Sequence, residues 1–345
     1  MQRTDYTNMH FWLNFHIYYH ADRDQLLREA ISPLLAELYK DGLLERFYFV
    51  RYSLGGPHIR LRLETTRHTA PLVRNTAEAY LQHYLHAAPS LRSLDREEIG
   101  RTTRMLIASD PNEHDANIYP DNSILQLPFA PEINRYGGAE LMSCSLDLFS
   151  FTSVEALTLI NERSVQSRSE MFSRSVRALL RLSLVLAEER SALADFWRTA
   201  TATAPVSGQE MQARLRLVQL LREESARAPE DEEWKLWSAA GSALRQKLSA
   251  TAKAVARGII RSHLHMFANR LDINNAVERG MGALLSGIFG ELPPAWTLPQ
   301  PAAALPCWLE ESRRRALWLQ SSALKTLLHQ IKTRTEAPAT QAAQR

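Results

Sequence analysis

The sequence contains only two cysteines, Cys144 and Cys307, and they lie far apart along the chain. A disulfide framework or a thiolate metal site needs more cysteines at short spacing, so neither is expected and a reducing, cytoplasmic setting is indicated. A long apolar run is also missing from the first twenty residues, where aromatic and polar side chains alternate. We therefore expect no signal peptide and no membrane anchor, and we predict a soluble protein.

An excess of charge of one sign is missing as well, since 41 Lys and Arg face 38 Asp and Glu in 345 residues. A net charge of +3 does not indicate direct nucleic-acid binding. The sequence has no phosphate loop, no dinucleotide-binding glycine pattern, no serine nucleophile elbow and no His-Glu-x-x-His zinc motif. These absences argue against nucleotide-driven, hydrolase and zinc chemistry, and we predict neither a metal nor an organic cofactor.

What the chain does contain is apolar patterning with a clear period. Two-residue alternation predicts strands over residues 11–19, 46–53, 58–64 and 124–128, with the second and third forming a hairpin. Three-and-four spacing predicts helices over 22–39 and 71–86. The polar, turn-forming stretch 108–123 is predicted to be a long exposed loop.

Helical periodicity dominates from residue 139 to about residue 290, where prolines interrupt it. A last helix is predicted over 308–332, followed by a polar, disordered tail over 333–345. The predicted fold class is α+β, with a small N-terminal antiparallel-rich sheet and a predominantly helical C-terminal half. We treat 1–332 as one domain, with a sheet-rich part over about 1–138 and a helical part over about 139–332.

The predicted hairpin carries the first candidate site, with Arg51, His58, Arg60 and Arg62. Strand alternation puts Arg60 and Arg62 on one face. Two guanidiniums there can offer paired donors to a carboxylate or a phosphate. A solvated sheet edge, or pairing with acids such as Glu64, is equally open, and His58 can equally make a structural hydrogen bond.

A second polar segment precedes the long helical region. Gly137 and Gly138, after Arg135 and Tyr136, predict a turn just before a helix, whose first free N–H groups can bind an anion. The alternative is a simple junction in which Glu132 and Arg135 pair.

A third polar segment, within the helical region, contains His265, Asn269 and Arg270. A spacing of four puts His265 and Asn269 on one helix face, and a histidine there can act as an acid or a base near neutral pH. The alternative is a core histidine with its hydrogen bonds satisfied. His263, two positions earlier, is expected to point elsewhere.

Taken in this order, the segments resemble the C-terminal elimination domain of class I lantibiotic dehydratases and its stand-alone relatives, the thiopeptide-type bacteriocin biosynthesis proteins. The matching features are Trp12 and Tyr18 in the opening strand, the hairpin, residues 132–138 and residues 265–271. The resemblance implies a lyase-type enzyme that removes glutamate from glutamylated Ser or Thr of a precursor peptide, leaving dehydroalanine or dehydrobutyrine. It implies catalytic roles for Arg60, Arg62, Arg135 and His265, and substrate-binding roles for Arg51, His58, Tyr136, Asn269 and Arg270.

In that family the arginines would bind the glutamyl and enolate oxygens while His265 handles the proton. The implied partners are a precursor peptide, made of leader and core, and a separate glutamyl-tRNA-dependent glutamylation protein, with no direct nucleic acid and no membrane; a homodimer stays open. Two alternatives remain. One is a thiopeptide pyridine synthase, which joins two dehydroalanines by a formal [4+2] cycloaddition and releases the leader peptide. The other is a non-catalytic subunit that binds the precursor by strand addition.

Overall fold

The computed structural model describes residues 10–109, 113–162, 168–187, 190–197, 208–226, 231–292, 298 and 310–311. Within it the chain forms two compact units, a sheet unit that runs to Ala130 and a helical unit that begins at Pro131. Apart from residues 310–311, the predicted last helix lies outside the described residues, as do the predicted tail and Cys307. The single-domain assignment stays a prediction.

The described part of the sheet unit contains four antiparallel strands in the order β2-β3-β1-β4. They are β1 (His10–Tyr18), β2 (Arg46–Tyr52), β3 (His58–Thr66) and β4 (Ser123–Gln126). This confirms the predicted sheet and its hairpin. One face is apolar, and its side chains, among them Phe15, Ile17, Phe47, Phe49 and Leu61, are fully buried.

Four helices belong to this same part of the sheet unit. They are α1 (Arg23–Leu26), which continues through a π-helical segment (Leu27–Ile31) into α2 (Ser32–Lys40), then α3 (Ala70–Ala87) and α4 (Arg96–Ser109). Helix α3 packs on β1, β3 and β4, as its apolar face requires. The predicted loop over 108–123 is therefore wrong at its start, because α4 runs to Ser109, and at its end, where Ser123 opens β4. Sequence patterning missed α4 because only Ile99 and Thr103 in it are buried.

The helical unit contains seven helices among its described residues. They are α5 (Ala139–Glu162), α6 (Arg168–Leu186), α7 (Arg190–Trp197), α8 (Gly208–Ser225), α9 (Glu232–Ser249), α10 (Lys253–Arg270) and α11 (Asn275–Gly290). Trp237 lies at the centre, with its ring 4.8 Å from that of Phe151 and 5.8 Å from that of Phe267. Burial of each such side chain contributes roughly 1.5–3 kcal/mol.

Helix α5 is long and apolar enough to cross a membrane by length and composition, yet 83% of its most apolar stretch is buried inside the protein. A lipid-facing helix would expose that surface, whereas the central helix of a soluble unit buries it. The helix packs on α9 and α10, so its apolar character serves the core.

Candidate active site

The polar face of the sheet gathers the side chains that sequence alternation placed opposite the core. Cross-strand register puts Asn14 against Arg62, His16 against Arg60 and Tyr18 against His58. Strand β2 adds Tyr48 and Tyr52, which pair with Arg62 and His58. The prediction that Arg60 and Arg62 share one face is confirmed. We call this surface, formed by Asn14, His16, Tyr18, Tyr48, Tyr52, His58, Arg60 and Arg62, the polar sheet face.

Arg60 is held on this face by three contacts. Its guanidinium carbon lies 3.7 Å from the centre of the Tyr52 ring, a cation–π distance, and its Nε donates to Nε2 of His58 at 3.4 Å. One terminal nitrogen donates to Glu113 at 2.9 Å, with both side chains more than four-fifths buried. Arg60 is thus positioned by an aromatic ring and a histidine, and its charge is balanced by a carboxylate.

Arg62 lies two residues along the same strand in a different electrostatic setting. Its guanidinium carbon is 5.0 Å from the centre of the Tyr48 ring and 6.0 Å from that of Phe129. Its Nε is buried and has no hydrogen-bond partner among the described residues, and none of the acids described within this structure forms an ion pair with it. Aromatic rings position this guanidinium without neutralising it, so its donors remain for an anion.

Two buried histidines lie beside the arginines. The rings of His16 and His58 are 5.0 Å apart and stacked, and Nδ1 of His58 donates to the Gly56 carbonyl oxygen at 2.8 Å. Burial, reinforced by Arg60, lowers the pKa of His16 to about 2. Burial also lowers the pKa of His58 to about 3, although the Gly56 hydrogen bond opposes the shift. Both rings are therefore neutral near pH 7 and add no charge to the polar sheet face.

Arg51 occupies the opposite side of the sheet. It pairs in register with Ile59, so strand alternation directs it away from Arg60 and Arg62. Its side chain is buried and donates to Asp24 of α1. Its substrate-binding role stays a prediction, and the structure places it in an internal ion pair.

In the helical unit, Arg135 lies in the turn that precedes α5. Gly137 and Gly138 have φ values of 78° and 109°, which confirms the predicted turn, and a Cβ on Gly137 would lie 2.8 Å from Leu141. Arg135 donates to Glu132 at 2.9 Å, the pairing anticipated as an alternative, and to Ser262 at 3.4 Å. The side chain is more than a third exposed, so the pair leaves its guanidinium accessible.

The two histidines of α10 have different environments, as their spacing predicted. His265 is 42% exposed, and its Nδ1 lies 2.8 Å from Oε2 of Glu278 at the start of α11. His263 is buried, with Nε2 3.0 Å from the Ser145 hydroxyl, and burial followed by the charge of Arg270 lowers its pKa to about 3. The satisfied core histidine of this helix is therefore His263.

Two of the remaining predicted residues of the helical unit, Tyr136 and Arg270, lie near this core histidine. Tyr136 is buried, with its ring 5.2 Å from Phe149 and 5.3 Å from His263. Arg270 is fully buried, with its guanidinium carbon 5.0 Å from the Phe149 ring centre and a nitrogen donating to Thr152 at 3.4 Å. Asn269 is half-buried, one turn beyond His265. Tyr136 and Arg270 therefore pack in the interior of this unit.

The structure thus brings Arg60, Arg62 and His58 together in the sheet unit and places Arg135, Tyr136, His265, Asn269 and Arg270 in the helical unit. Sequence reasoning missed several side chains that contact them, among them His16, Glu113 and Glu278. The alternation of β1 could have indicated His16 once its register against β3 was known. Among the described residues, no group of three His, Cys, Asp or Glu side chains is placed to hold a metal ion.

Residues 12–287 match the family described as "Lantibiotic biosynthesis dehydratase C-term", which is most of the chain. The chain belongs to this family. The resemblance drawn from the polar segments is therefore confirmed, and family membership assigns the protein to the biosynthesis of ribosomally made peptide natural products. No curated protein matches the chain.

Solved structures of similar fold agree with membership of this family. The pyridine synthase TbtD from thiomuracin biosynthesis is 18% identical, with a TM-score of 0.62, and the similarity covers 81% of this chain and 98% of TbtD. The tRNA-dependent lantibiotic dehydratase MibB from Microbispora sp. 107891 is also 18% identical, with a TM-score of 0.50, and the similarity covers 80% of this chain but 27% of MibB. At such identities the likeness establishes the fold alone.

Proposed function

We propose that the protein is an eliminase that removes glutamate from glutamylated Ser or Thr of a precursor peptide. The observation that carries this proposal is Arg62, a guanidinium fixed by two aromatic rings with no acidic partner among the described residues. It lies beside Arg60 on a face whose histidines are neutral. Of these two adjacent guanidiniums, Arg60 pairs with an acid and Arg62 pairs with none in the described part of the chain. The excess positive charge suits a substrate that carries or develops negative charge.

Elimination generates such charge at two places. A base takes the proton from Cα, and the electron pair passes through an enolate-like state in which the peptide carbonyl oxygen is negative. That pair forms the Cα=Cβ bond, the Cβ–O ester bond breaks, and glutamate leaves as a carboxylate. We assign the enolate and glutamyl oxygens to Arg60, Arg62 and Arg135, and the proton transfer to His265, whose half-exposed ring is open to a substrate.

A pyridine synthase is the second candidate, favoured by a likeness that spans almost the whole of TbtD. Its reaction joins two dehydroalanines, which are uncharged, so a pair of guanidiniums has less to stabilise. A non-catalytic precursor-binding subunit is the third candidate. Such a subunit has no use for a half-exposed histidine beside a carboxylate, as His265 is beside Glu278.

The proposal also assigns partners and a compartment. This chain would act after a separate glutamyl-tRNA-dependent protein has esterified the precursor peptide, since its net charge of +3 gives no sign of a nucleic-acid surface. We propose a cytoplasmic setting, where such a partner and its transfer RNA are found. Size-exclusion chromatography with light scattering would test the homodimer.

The deciding experiment is mass spectrometry of two synthetic peptides incubated with the purified protein. One peptide carries a glutamylated serine, and the other carries two dehydroalanines behind a leader sequence. We expect loss of glutamic acid from the first peptide and no change in the second. His265→Ala should abolish the reaction, while His68→Ala, which changes an exposed histidine of the sheet unit, should leave it unchanged.

Three outcomes would contradict the proposal. An untouched ester together with a cyclised second peptide would establish the pyridine synthase. Binding of both peptides with turnover of neither would support the non-catalytic subunit. Glutamate loss that persists in His265→Ala would keep the elimination but remove the base assigned to it.

A further inference from the structure

We infer that Glu278 is the positioning residue for His265. Its carboxylate oxygen lies 2.8 Å from Nδ1, and its side chain is only 20% exposed, so the contact is partly shielded from water. An ionised carboxylate can only accept, which places the ring proton on Nδ1 and leaves Nε2 as a free lone pair. The pair therefore leaves Nε2 as the basic nitrogen of the ring. The inference rests on the proposed function only for the identity of the proton removed.

The local fold explains why Glu278 stays in place. Asn274 caps α11 by accepting from the N–H groups of Ala276 and Val277, and Glu278 follows within the first turn. A carboxylate there is stabilised by the partial positive charge of the helix N-terminus. The backbone N–H of Glu278 also donates to the Asn274 carbonyl oxygen at 2.9 Å. Both ends of the contact are thus carried on regular helices, α10 and α11, which fixes the ring orientation.

The test measures the tautomer of His265 as well as turnover. In the wild-type protein, nitrogen NMR of labelled histidines, assigned with His265→Ala, should show His265 with its proton on Nδ1. Glu278→Gln should shift that population and lower kcat about 10–100-fold, the range found when a carboxylate partner of a histidine is removed. Glu278→Asp should recover part of the rate. Glu232→Gln is the matched control, since Glu232 is also in the first turn of a helix and, although exposed, pairs with Lys235.

Failure of this inference is distinguishable from failure of the proposed function. A wild-type protein that eliminates glutamate, with a Glu278→Gln variant of unchanged rate and unchanged tautomer, would overturn the positioning role alone. A protein that leaves the ester untouched but shows the Nδ1 tautomer, lost in Glu278→Gln, would overturn the elimination and retain the positioning role.

A separate observation in the sheet unit carries a second inference: we propose that Glu113 is an internal ligand that competes with the substrate carboxylate for Arg60. Its Oε1 accepts from Arg60 at 2.9 Å, in the position that an incoming carboxylate would take. Both side chains are more than four-fifths buried, so the contact is not a mobile surface pair. A glutamate side chain is also the chemical counterpart of the group that the proposed reaction releases, and to that extent this inference rests on the proposed function.

The segment 113–122, which begins with Glu113, is hydrogen-bonded to the hairpin turn. The backbone N–H of Tyr119 donates to the Gly55 carbonyl oxygen at 2.9 Å, and its hydroxyl donates to Asp115 at 2.6 Å. A Cβ on Gly55 would lie 2.7 Å from the Asn117 carbonyl oxygen and 2.8 Å from the Tyr119 ring, so only glycine admits this approach. The docked segment therefore holds its acidic end against the polar sheet face.

Removing the Glu113 carboxylate should strengthen binding. Glu113→Gln is expected to lower KM for the glutamylated peptide about fivefold, and to tighten binding of free L-glutamate in calorimetry by a similar factor, because the ligand carboxylate no longer has to displace an internal carboxylate from Arg60. In a protein that already carries Arg60→Ala, adding Glu113→Gln should make no further difference. Glu97→Gln, which breaks the exposed Arg101 pair of the same unit, is the control for net charge.

The calorimetric measurement does not depend on turnover. Unchanged or weaker glutamate binding in Glu113→Gln, in a protein whose elimination is intact, would show that Glu113 merely orients Arg60 and would overturn the competition. Tighter glutamate binding in a protein without elimination would retain the competition and overturn the proposed reaction.

Discussion

The two candidate sites use the same residue types in opposite ways. On the polar sheet face, His16 and His58 are buried, their pKa values are lowered to about 2 and about 3, and the charge is carried by arginines. In the helical unit, His265 is half exposed and faces the carboxylate of Glu278. Burial keeps the two histidines of the sheet neutral near pH 7, whereas His265 keeps contact with solvent. The guanidiniums of the polar sheet face thus suit anion binding, whereas the proposed base lies in the more exposed setting of the helical unit.

The largest effect should follow from removing the charge of the polar sheet face. The double variant Arg60→Ala/Arg62→Ala is expected to lower kcat/KM about 10³-fold, since each donor to a developing oxyanion contributes strongly. The corresponding double lysine variant should recover only part, because lysine keeps the charge but loses the paired donors. Steady-state kinetics with Arg67→Ala as the exposed control measures this. A loss of kcat/KM below tenfold would contradict the assignment of anion binding to this face.

A buried ion pair in the helical unit should act on stability instead. Arg181 donates to Glu224 at 2.8 Å, and both side chains are almost fully buried. Glu224→Gln is expected to cost about 3 kcal/mol of unfolding free energy, because it removes the buried one of the two carboxylates that Arg181 contacts and leaves only the more exposed Glu233. Urea unfolding measures this, with the exposed neighbour Glu223→Gln as the control costing under about 1 kcal/mol. A selective loss of kcat without destabilisation would contradict the structural role.

Acid should weaken the protein through its buried histidines. The folded pKa values of His16 and His58 lie below the ordinary value of 6.5, so below pH 6.5 the unfolded chain binds protons that the folded chain does not. Stability is therefore complete above pH 6.5 and falls as the pH approaches 4.5, on the order of 2 kcal/mol for each histidine. Urea unfolding across this range should show a shallower slope in His16→Gln than in wild type, with His83→Gln unchanged. An unchanged slope in His16→Gln would mean that His16 is protonated in the folded state.

The smallest effect is expected at Arg135. Its side chain is more than a third exposed and already pairs with Glu132, so its interaction with a substrate oxygen would be screened by water. Arg135→Ala should lower kcat/KM about tenfold, far less than the sheet variants. Kinetics at two salt concentrations would show it, since a screened contact weakens with salt. A loss matching that of the double arginine variant would place Arg135 among the principal anion-binding groups.

Much of this arrangement follows from sequence periodicity. Alternation alone placed Arg60 and Arg62 on one face, and spacing alone separated His263 from His265. Alternation within β2 could not relate Arg51 to Arg60, because that requires the register between two strands, and the observed pairing of Arg51 with Ile59 turns it to the other side. Local patterns describe one element at a time, whereas a site is made by the pairing of elements.

The side chains Glu113 and Glu278 were missed for the same reason, because their contacts depend on how separate elements come together. Glu113 reaches Arg60 because segment 113–122 docks on Gly55, and Glu278, in the first turn of α11, reaches back to His265 on α10. Each contact joins residues whose relation depends on tertiary packing, which no short motif encodes. Helix α4 was missed for a related reason, since two buried residues in fourteen leave little periodic signal.

The strict alternation of β3 makes its length as important as its composition. Deleting one residue between His58 and Arg60 would turn Arg60 and Arg62 into the apolar interior and expose Leu61 and Leu63, so every side chain of the strand would exchange surroundings at once. The turn at residues 53–57 has no two-residue alternation of side chains to preserve. We therefore expect insertions and deletions to be tolerated in the turns of this sheet. The strand that carries the arginines can vary in sequence but not in length.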